Sequence, residues 1–166
     1  AYAARMGDST GVLFVCMGNI CRSPVARCIF ERLVDQRGVA ARFRIDSCGT
    51  GGWHAGEGAD PRSVEIAARH GLELTHVARK LRPAVDFDDF DLLLAMDLEN
   101  RRELLRHGAP PERVRLLRAF DPELHGLPDE HLQVPDPYYG GDDGFLAMYR
   151  MLDTACRGLL EHALKG

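Results

Sequence analysis

Lysine is nearly absent from this 166-residue chain, in which Lys80 and Lys165 are the only two. Arginine supplies the remaining positive charge, and the acidic residues outnumber both, so the formal net charge is −4 and the sequence pI is near 6.0. A stripe of basic residues interleaved with aromatic residues, typical of nucleic-acid-binding surfaces, is missing as well. These absences exclude a nucleic-acid partner, and most of the arginines are predicted to lie on solvated helix faces.

Long apolar runs are also missing. None approaches the roughly 20 residues that a membrane-spanning helix needs, and residues 1–7 lack the apolar centre of a signal peptide. Five cysteines are an odd number in a chain too long to need disulfides for stability, which favours a reducing compartment. We therefore expect a cytoplasmic protein without a membrane partner, with an N-terminal extension over residues 1–10 and one domain over residues 11–166.

Short apolar runs predict a buried sheet. They occupy residues 12–15, 43–45, 92–95 and 114–117, and helical patterns separate them. Start signals for helices stand at Asp60 and Asp97, Gly38 ends an earlier helix, and a long final helix follows Asp143. This alternation predicts a doubly wound α/β fold: a four-stranded parallel sheet with helices on both faces.

The segment that follows the first strand carries most of the chemical information. It reads Cys-Met-Gly-Asn-Ile-Cys-Arg-Ser-Pro over residues 16–24 and leads directly into a helix. Gly18 and Asn19 tolerate unusual backbone conformations, and Ser23 offers a hydroxyl at the start of the helix. Backbone N–H groups converge on an anion in such a loop. We expect a phosphate-binding loop that contacts substrate through Met17, Gly18, Asn19, Ile20, Cys21 and Ser23.

Cys16 and Arg22 are the candidate reactive pair of this loop. The thiolate is the nucleophilic form of cysteine, and a helix N-terminus, an arginine and N–H donors all favour it. The planar guanidinium of Arg22 can bind two phosphoryl oxygens at once. The same spacing recurs from Cys21 to Arg27, but there the helix would use the backbone N–H groups, so we discard that instance.

Cleavage of a phosphate ester is helped by a general acid that protonates the departing oxygen, and three aspartates that precede prolines compete for this role. Asp60 is explained as a helix cap, and no aromatic residue follows Asp121 closely. Asp136 is the best candidate, because it lies in the long irregular stretch 126–141. The residues alone leave this choice open.

Aromatic residues from two loops are predicted to form the walls of the site. Trp53 lies in a glycine-rich segment, and Tyr138 and Tyr139 follow Asp136. They could enclose a flat phenyl ring, or they could simply cover the edge of the core. The seven histidines show no paired ligand spacing, and Cys16, Cys21 and Cys28 lack a further cluster that would complete a metal site. We expect neither a metal nor a cofactor.

Residues 16–24 resemble the signature of the low molecular weight protein tyrosine phosphatases. The resemblance continues through residues 45–47, 53, 60–62, 76–79 and 136–140, and so spans nearly the whole chain. Met17 departs from the common form of the signature, and Cys48 stands where the family often carries Ala or Gly.

The resemblance implies a role for each matching residue. Cys16 would be the nucleophile, Arg22 the ligand of the phosphate and the transition state, and Asp136 the general acid. A supporting hydrogen-bond network would consist of Asn19, Ser23, Ser47 and His76. Oxidation would join Cys21 to Cys16 in a reversible disulfide.

The resemblance also implies an activity and partners. The expected reaction is the metal-independent hydrolysis of phosphotyrosine monoesters through a phosphocysteine intermediate. Phosphotyrosine-containing proteins would be the substrates, a cognate tyrosine kinase a further partner, and a monomer the expected state.

Two alternative functions stand beside this one. An arsenate reductase needs a resolving cysteine close to the nucleophile, and Cys48 and Cys156 do not form the closely spaced pair that we would expect. A non-catalytic phosphotyrosine-binding module would gain nothing from a reactive thiolate.

Overall fold

The computed structural model describes residues 9–165, which build one parallel sheet between two layers of helices. Its strands are β1 (Thr10–Cys16), β2 (Phe43–Gly49), β3 (Leu92–Ala95) and β4 (Val114–Leu116). They are arranged in the order β2-β1-β3-β4, and every neighbouring pair is parallel. The predicted four-stranded α/β fold is confirmed.

Helices cover both faces of this sheet. They are α1 (Arg22–Gln36), α2 (Pro61–Arg69), α3 (Pro83–Asp89), α4 (Leu98–Arg106) and α5 (Asp142–Lys165). Successive side chains of a strand point to opposite faces. Val12 and Phe14 therefore join the core that α1 and α5 cover, whereas Leu13 and Val15 join the core beside α3 and α4.

The local signals at the helix ends have the predicted effect. Asp60 accepts a hydrogen bond from the Arg62 N–H in the first turn of α2, and Asp97 accepts one from the Asn100 N–H in the first turn of α4. Gly38 has φ +74° just beyond α1, a conformation that favours glycine. In contrast, α3 has no predicted counterpart, because it begins at Pro83 without a side-chain cap.

Four strand boundaries differ from the prediction. β1 spans Thr10–Cys16, beyond both ends of the predicted run 12–15, and the ends of β2 and β4 differ as well. β2 continues to Gly49, because it pairs with β1 along its whole length and ends opposite Cys16. β4 ends at Leu116, because Leu117 already begins a 3-10 turn.

The predicted extension over residues 1–10 is only partly within the described residues. Residues 1–8 lie outside them, and β1 begins at Thr10, one residue before the predicted domain boundary. Within residues 9–165, no helix combines the length and the apolar character needed to cross a bilayer.

The strand order fixes the place of the phosphate-binding loop. β1 and β3 are neighbours, and the Met96 N–H donates to the Val15 carbonyl at 3.1 Å beyond the end of β3. Ligands of open α/β sheets bind at this carboxyl edge. The loops that follow β1 and β3 therefore meet next to Cys16.

Candidate active site

Asn19 organises the phosphate-binding loop (residues 16–22). Among residues 9–165 it is the one non-glycine residue with a positive φ, at 57°. Its side-chain Nδ2 donates to Ser23 Oγ at 2.8 Å and to Ser47 Oγ at 3.0 Å. These bonds compensate for the unfavourable backbone conformation and join the loop to α1 and β2.

The other polar groups of Asn19 are bound by the chain that follows α2. His76 Nε2 lies 2.7 Å from the Asn19 carbonyl, and the Arg79 N–H donates to Asn19 Oδ1 at 2.9 Å. Burial lowers the pKa of His76, although its hydrogen bond to Asn19 opposes this shift. Because a carbonyl only accepts, Nε2 carries the ring proton. The structure thus brings together all four predicted network residues, and Arg79 is a member that the sequence did not reveal.

Cys16 lies at the floor of a cavity of about 320 Å³. Only 2% of the residue is exposed, and the Asn19 N–H donates to its Sγ at 3.3 Å. Ser23 Oγ is 2.9 Å from the sulfur and 3.5 Å from the Cys48 carbonyl, so its proton has its closer acceptor in Cys16. Both groups contact the sulfur from within the network beneath the loop.

Arg22 is fixed beside the sulfur by an aspartate that was predicted only as a helix cap. Its Nη1 donates to Asp97 Oδ2 at 2.6 Å and to the Val134 carbonyl at 3.0 Å. Burial disfavours its charge, but Cys16, Asp97 and Asp136 outweigh burial and raise the pKa of Arg22. Both N–H groups of Nη1 are occupied, so the Nε–Nη2 edge is the one left to bind an anion.

Asp136 lines the same cavity as Cys16 and Arg22. Its Oδ2 is 3.6 Å from Arg22 Nη2, and its Oδ1 accepts the Tyr138 N–H at 3.0 Å. About a third of its side chain is exposed. The structure therefore brings the three predicted catalytic side chains, Cys16, Arg22 and Asp136, to one cavity.

Three aromatic side chains line the cavity: Trp53, Tyr138 and Tyr139. Trp53 is 72% exposed and Tyr139 93%, so neither covers a core edge. The rings of Tyr138 and Tyr139 meet edge to face, with centroids 5.0 Å apart. His54 also belongs to this wall: its Nδ1 lies 2.9 Å from Glu57 Oε2, and its ring centroid is 6.3 Å from that of Tyr138.

Two residues predicted to bind substrate lie elsewhere. Met17, Gly18, Ile20 and Cys21 line the cavity, but Asn19 and Ser23 are absent from its lining and fully buried. The Ser23 hydroxyl does not cap α1 either, because Cys16 and Asn19 already bind it. Both side chains act within the network beneath the loop.

Cys21 lines the cavity next to Cys16, and both are free thiols. Burial and then the Asp60 carboxylate raise the pKa of Cys21 to about 12. Cys48 is fully buried behind the loop, and burial raises its pKa well above the ordinary value. In the described part of the chain, no three His, Cys, Asp or Glu residues cluster as metal ligands would.

Comparison with known proteins agrees with this geometry. Residues 11–166 match the family model for low molecular weight phosphotyrosine protein phosphatase. A low molecular weight protein-tyrosine-phosphatase of Streptomyces coelicolor is 48% identical over 153 residues, which are 90% of each chain.

Solved structures give the same result. A protein tyrosine phosphatase of Entamoeba histolytica superposes with a TM-score of 0.87 at 32% identity and covers 95% of this chain and 99% of its own. A Drosophila arginine phosphatase superposes with a TM-score of 0.82 at 34% identity, over 92% and 96% of the two chains. This chain belongs to the low molecular weight phosphotyrosine protein phosphatase family.

Proposed function

We propose that this protein hydrolyses phosphotyrosine in protein substrates. The observation that carries the proposal is the placement of Cys16, Arg22 and Asp136 around one cavity whose mouth is aromatic. Loop N–H groups and the Nε–Nη2 edge of Arg22 would bind the phosphoryl oxygens, and the phenyl ring would lie between Trp53 and Tyr138.

The first step transfers the phosphoryl group to the enzyme. The Cys16 thiolate attacks phosphorus, the S–P bond forms and the P–O bond to the phenol breaks. Asp136 gives its proton to the departing phenol oxygen. Arg22 and the loop N–H groups stabilise the equatorial oxygens throughout, because they are already oriented before the reaction.

The second step regenerates the enzyme. Asp136, now a carboxylate, takes a proton from water, whose oxygen attacks the phosphorus of phosphocysteine. The S–P bond breaks, phosphate leaves, and Cys16 is again a thiolate. Ser23 would stabilise that leaving sulfur, because its hydroxyl is 2.9 Å away.

The residues that line the pocket favour an aryl phosphate ester over a phosphoarginine as the substrate. Asp136 is the one carboxylate among the described lining residues, and it already lies near Arg22. No further acidic side chain there could pair with a guanidinium leaving group. The exposed faces of Trp53 and Tyr139 suit a flat apolar ring.

A substrate panel tests this function. Phosphotyrosine, phosphoarginine and phosphoserine peptides should be assayed for phosphate release with chelator present. We expect release from phosphotyrosine peptides, loss of turnover in Cys16→Ser, and a decrease of about 10²–10⁴-fold in Asp136→Ala with phosphate affinity retained. Three results would contradict the proposal. Preferred release from phosphoarginine would indicate an arginine phosphatase, binding without release a phosphotyrosine-binding module, and arsenate-dependent thiol oxidation an arsenate reductase.

We also propose that Cys21 protects Cys16 from irreversible oxidation. Peroxide would transfer one oxygen atom to the Cys16 thiolate: the S–O bond forms, the O–O bond breaks, and a sulfenic acid and hydroxide result. The Cys21 sulfur then attacks, the disulfide forms and water leaves. Both sulfurs lie at the same cavity, so Cys21 is placed next to the sulfur that it would protect.

Peroxide treatment followed by dithiothreitol separates this role from simple packing. Activity should return in the wild type and in Cys156→Ser, but not in Cys21→Ser. Equal recovery with and without Cys21 would contradict a protective disulfide.

We further propose partners, a location and an oligomeric state for this enzyme. Phosphotyrosine proteins would be substrates, a tyrosine kinase would supply them, and the enzyme would act in the cytoplasm as a monomer. Trapping with Asp136→Ala would identify the substrates, and sedimentation would give the oligomeric state.

A further inference from the structure

We propose that Arg62 is a positioning residue that holds the acid loop (residues 136–140) against the phosphate-binding loop. This inference rests on the proposed function, in which Asp136 protonates the leaving group. Arg62 lies outside the cavity lining and at the start of α2, so it would act through Asp136 and not on the substrate.

Arg62 binds the acid loop through its backbone. Its Nη2 donates to the Tyr138 carbonyl at 3.0 Å, and its Nη1 lies 3.4 Å from the Gly140 carbonyl. The guanidinium also lies over the rings of Tyr138 and Phe145, 5.6 Å and 4.5 Å from their centroids. The planar group is therefore held on both its edge and its face.

The other side of Arg62 is tied to the phosphate-binding loop through Asp60. The Arg62 Nε and Nη2 donate to the two Asp60 carboxylate oxygens at 3.1 Å and 2.9 Å. Asp60 is 8% exposed, and its backbone N–H donates to the Ile20 carbonyl at 2.9 Å. A continuous set of hydrogen bonds thus joins the loop of the nucleophile to the loop of the acid.

The acid loop has few other attachments. Across residues 9–165, no second side chain donates to the backbone of residues 137–140. Without Arg62, the Tyr138 N–H that orients Asp136 would lose its fixed position. A displacement of about 1 Å in a catalytic group can cost about 10²-fold in rate, so this attachment should matter for proton transfer.

The dependence on the leaving group is the decisive measurement. Loss of acid catalysis slows esters of weakly acidic phenols more than esters of acidic ones. In Arg62→Met we expect kcat/KM to fall about tenfold or more for phenyl phosphate, and only a few-fold for p-nitrophenyl phosphate. We use kcat/KM because it reports the steps up to formation of the phosphoenzyme, in which the leaving group departs. Hydrolysis of the phosphoenzyme is the same for both substrates and would hide this difference in kcat. Inhibition by inorganic phosphate should stay within about twofold of the wild type, since the cradle is unchanged.

Three further variants complete the test. Arg62→Lys keeps the positive charge and one donor nitrogen, so its kcat/KM values should lie between those of Arg62→Met and the wild type. If Arg62→Met does not fold, Arg62→Lys provides the test alone. Arg62→Met combined with Asp136→Ala should be no slower than Asp136→Ala, because the lost function is the same. Arg69→Met, in the same helix with only an exposed partner in Glu65, should match the wild type.

Two different results separate this inference from the proposed function. If the wild type does not hydrolyse aryl phosphates, the proposed function fails. If it does, but Arg62→Met and Arg62→Lys slow both esters equally or lose phosphate inhibition, Arg62 has only a structural role and the inference is overturned.

Discussion

Arg22 illustrates how much of this site depends on single charged contacts. The guanidinium is 2% exposed and lies within hydrogen-bond distance of Asp97, which also caps α4 by accepting the Asn100 N–H at 2.8 Å. A buried cation is costly unless it is paired. Asp97 therefore has two roles. It pairs with Arg22, which is proposed to bind the phosphate, and it caps α4.

Replacing Asp97 by Asn separates these two roles. Asn still caps a helix, but it no longer offers Arg22 Nη1 the charged acceptor that holds the guanidinium in its orientation. We expect phosphate inhibition to weaken about tenfold and the free energy of unfolding to fall by about 1–3 kcal/mol. Asp129→Asn, which removes an exposed partner of Arg101, should change neither quantity. Unaltered phosphate inhibition in Asp97→Asn would show that Asp97 does not orient Arg22.

At the scale of elements, α5 packs directly on the 3-10 turn Leu117–Phe120. Gly158 makes this approach possible, because a Cβ there would lie 1.8 Å from the Phe120 carbonyl oxygen. Leu117, Leu159 and Leu160 complete the contact as buried neighbours. Backbone cannot move aside as a flexible side chain can, so this position requires glycine in the present arrangement.

Gly158→Ala should consequently destabilise the fold by about 1–3 kcal/mol despite the higher helix propensity of alanine. Gly144→Ala in the same helix is the matched control, since its Cβ would meet Pro137 at an ordinary 3.7 Å. Gly144→Ala should leave the free energy of unfolding unchanged or raise it by up to about 1 kcal/mol. Urea unfolding measures the stability of both variants. Equal stabilities would contradict the prediction, because they would mean that the turn Leu117–Phe120 moves away from the added methyl group without loss of stability.

For the molecule as a whole, buried thiols couple stability to alkaline pH. Burial raises the pKa values of Cys21, Cys28, Cys48 and Cys156, with Cys21 at about 12. In the unfolded chain these thiols ionise near pH 9.0. Above that pH the unfolded state therefore binds fewer protons than the folded state, and stability falls as pH rises; below it, their contribution is fully present.

We expect the free energy of unfolding to fall by about 1 kcal/mol per strongly shifted thiol between about pH 9 and about pH 10. Urea unfolding of the reduced protein at these values measures the fall. Cys156→Ala lacks one fully buried thiol and should show a smaller fall, whatever its stability at neutral pH. An equal fall in both proteins would contradict a protonated Cys156 in the folded state.

Much of the fold and the site could be predicted because the signals are local. Apolar runs of strand length, the caps Asp60 and Asp97, and Gly38 beyond α1 each depend on a few neighbouring residues. The phosphate-binding loop is equally local, since residues 16–22 connect one strand to one helix. Asp136, Ser47 and His76 lie outside that loop and were identified through the ordered resemblance.

By itself, the sequence determined the α/β class, the loop and its candidate nucleophile, because neighbours along the chain suffice for backbone conformation and for the chemistry of a motif. Only the tertiary structure decided that Asp97 pairs with Arg22 across 75 residues and that Arg62 holds Tyr138 across 76. The order β2-β1-β3-β4 places the carboxyl ends of β1 and β3 side by side. Contacts between such distant residues depend on which loops meet at that edge of the sheet. The spacing of residues along the chain does not predict which loops these are.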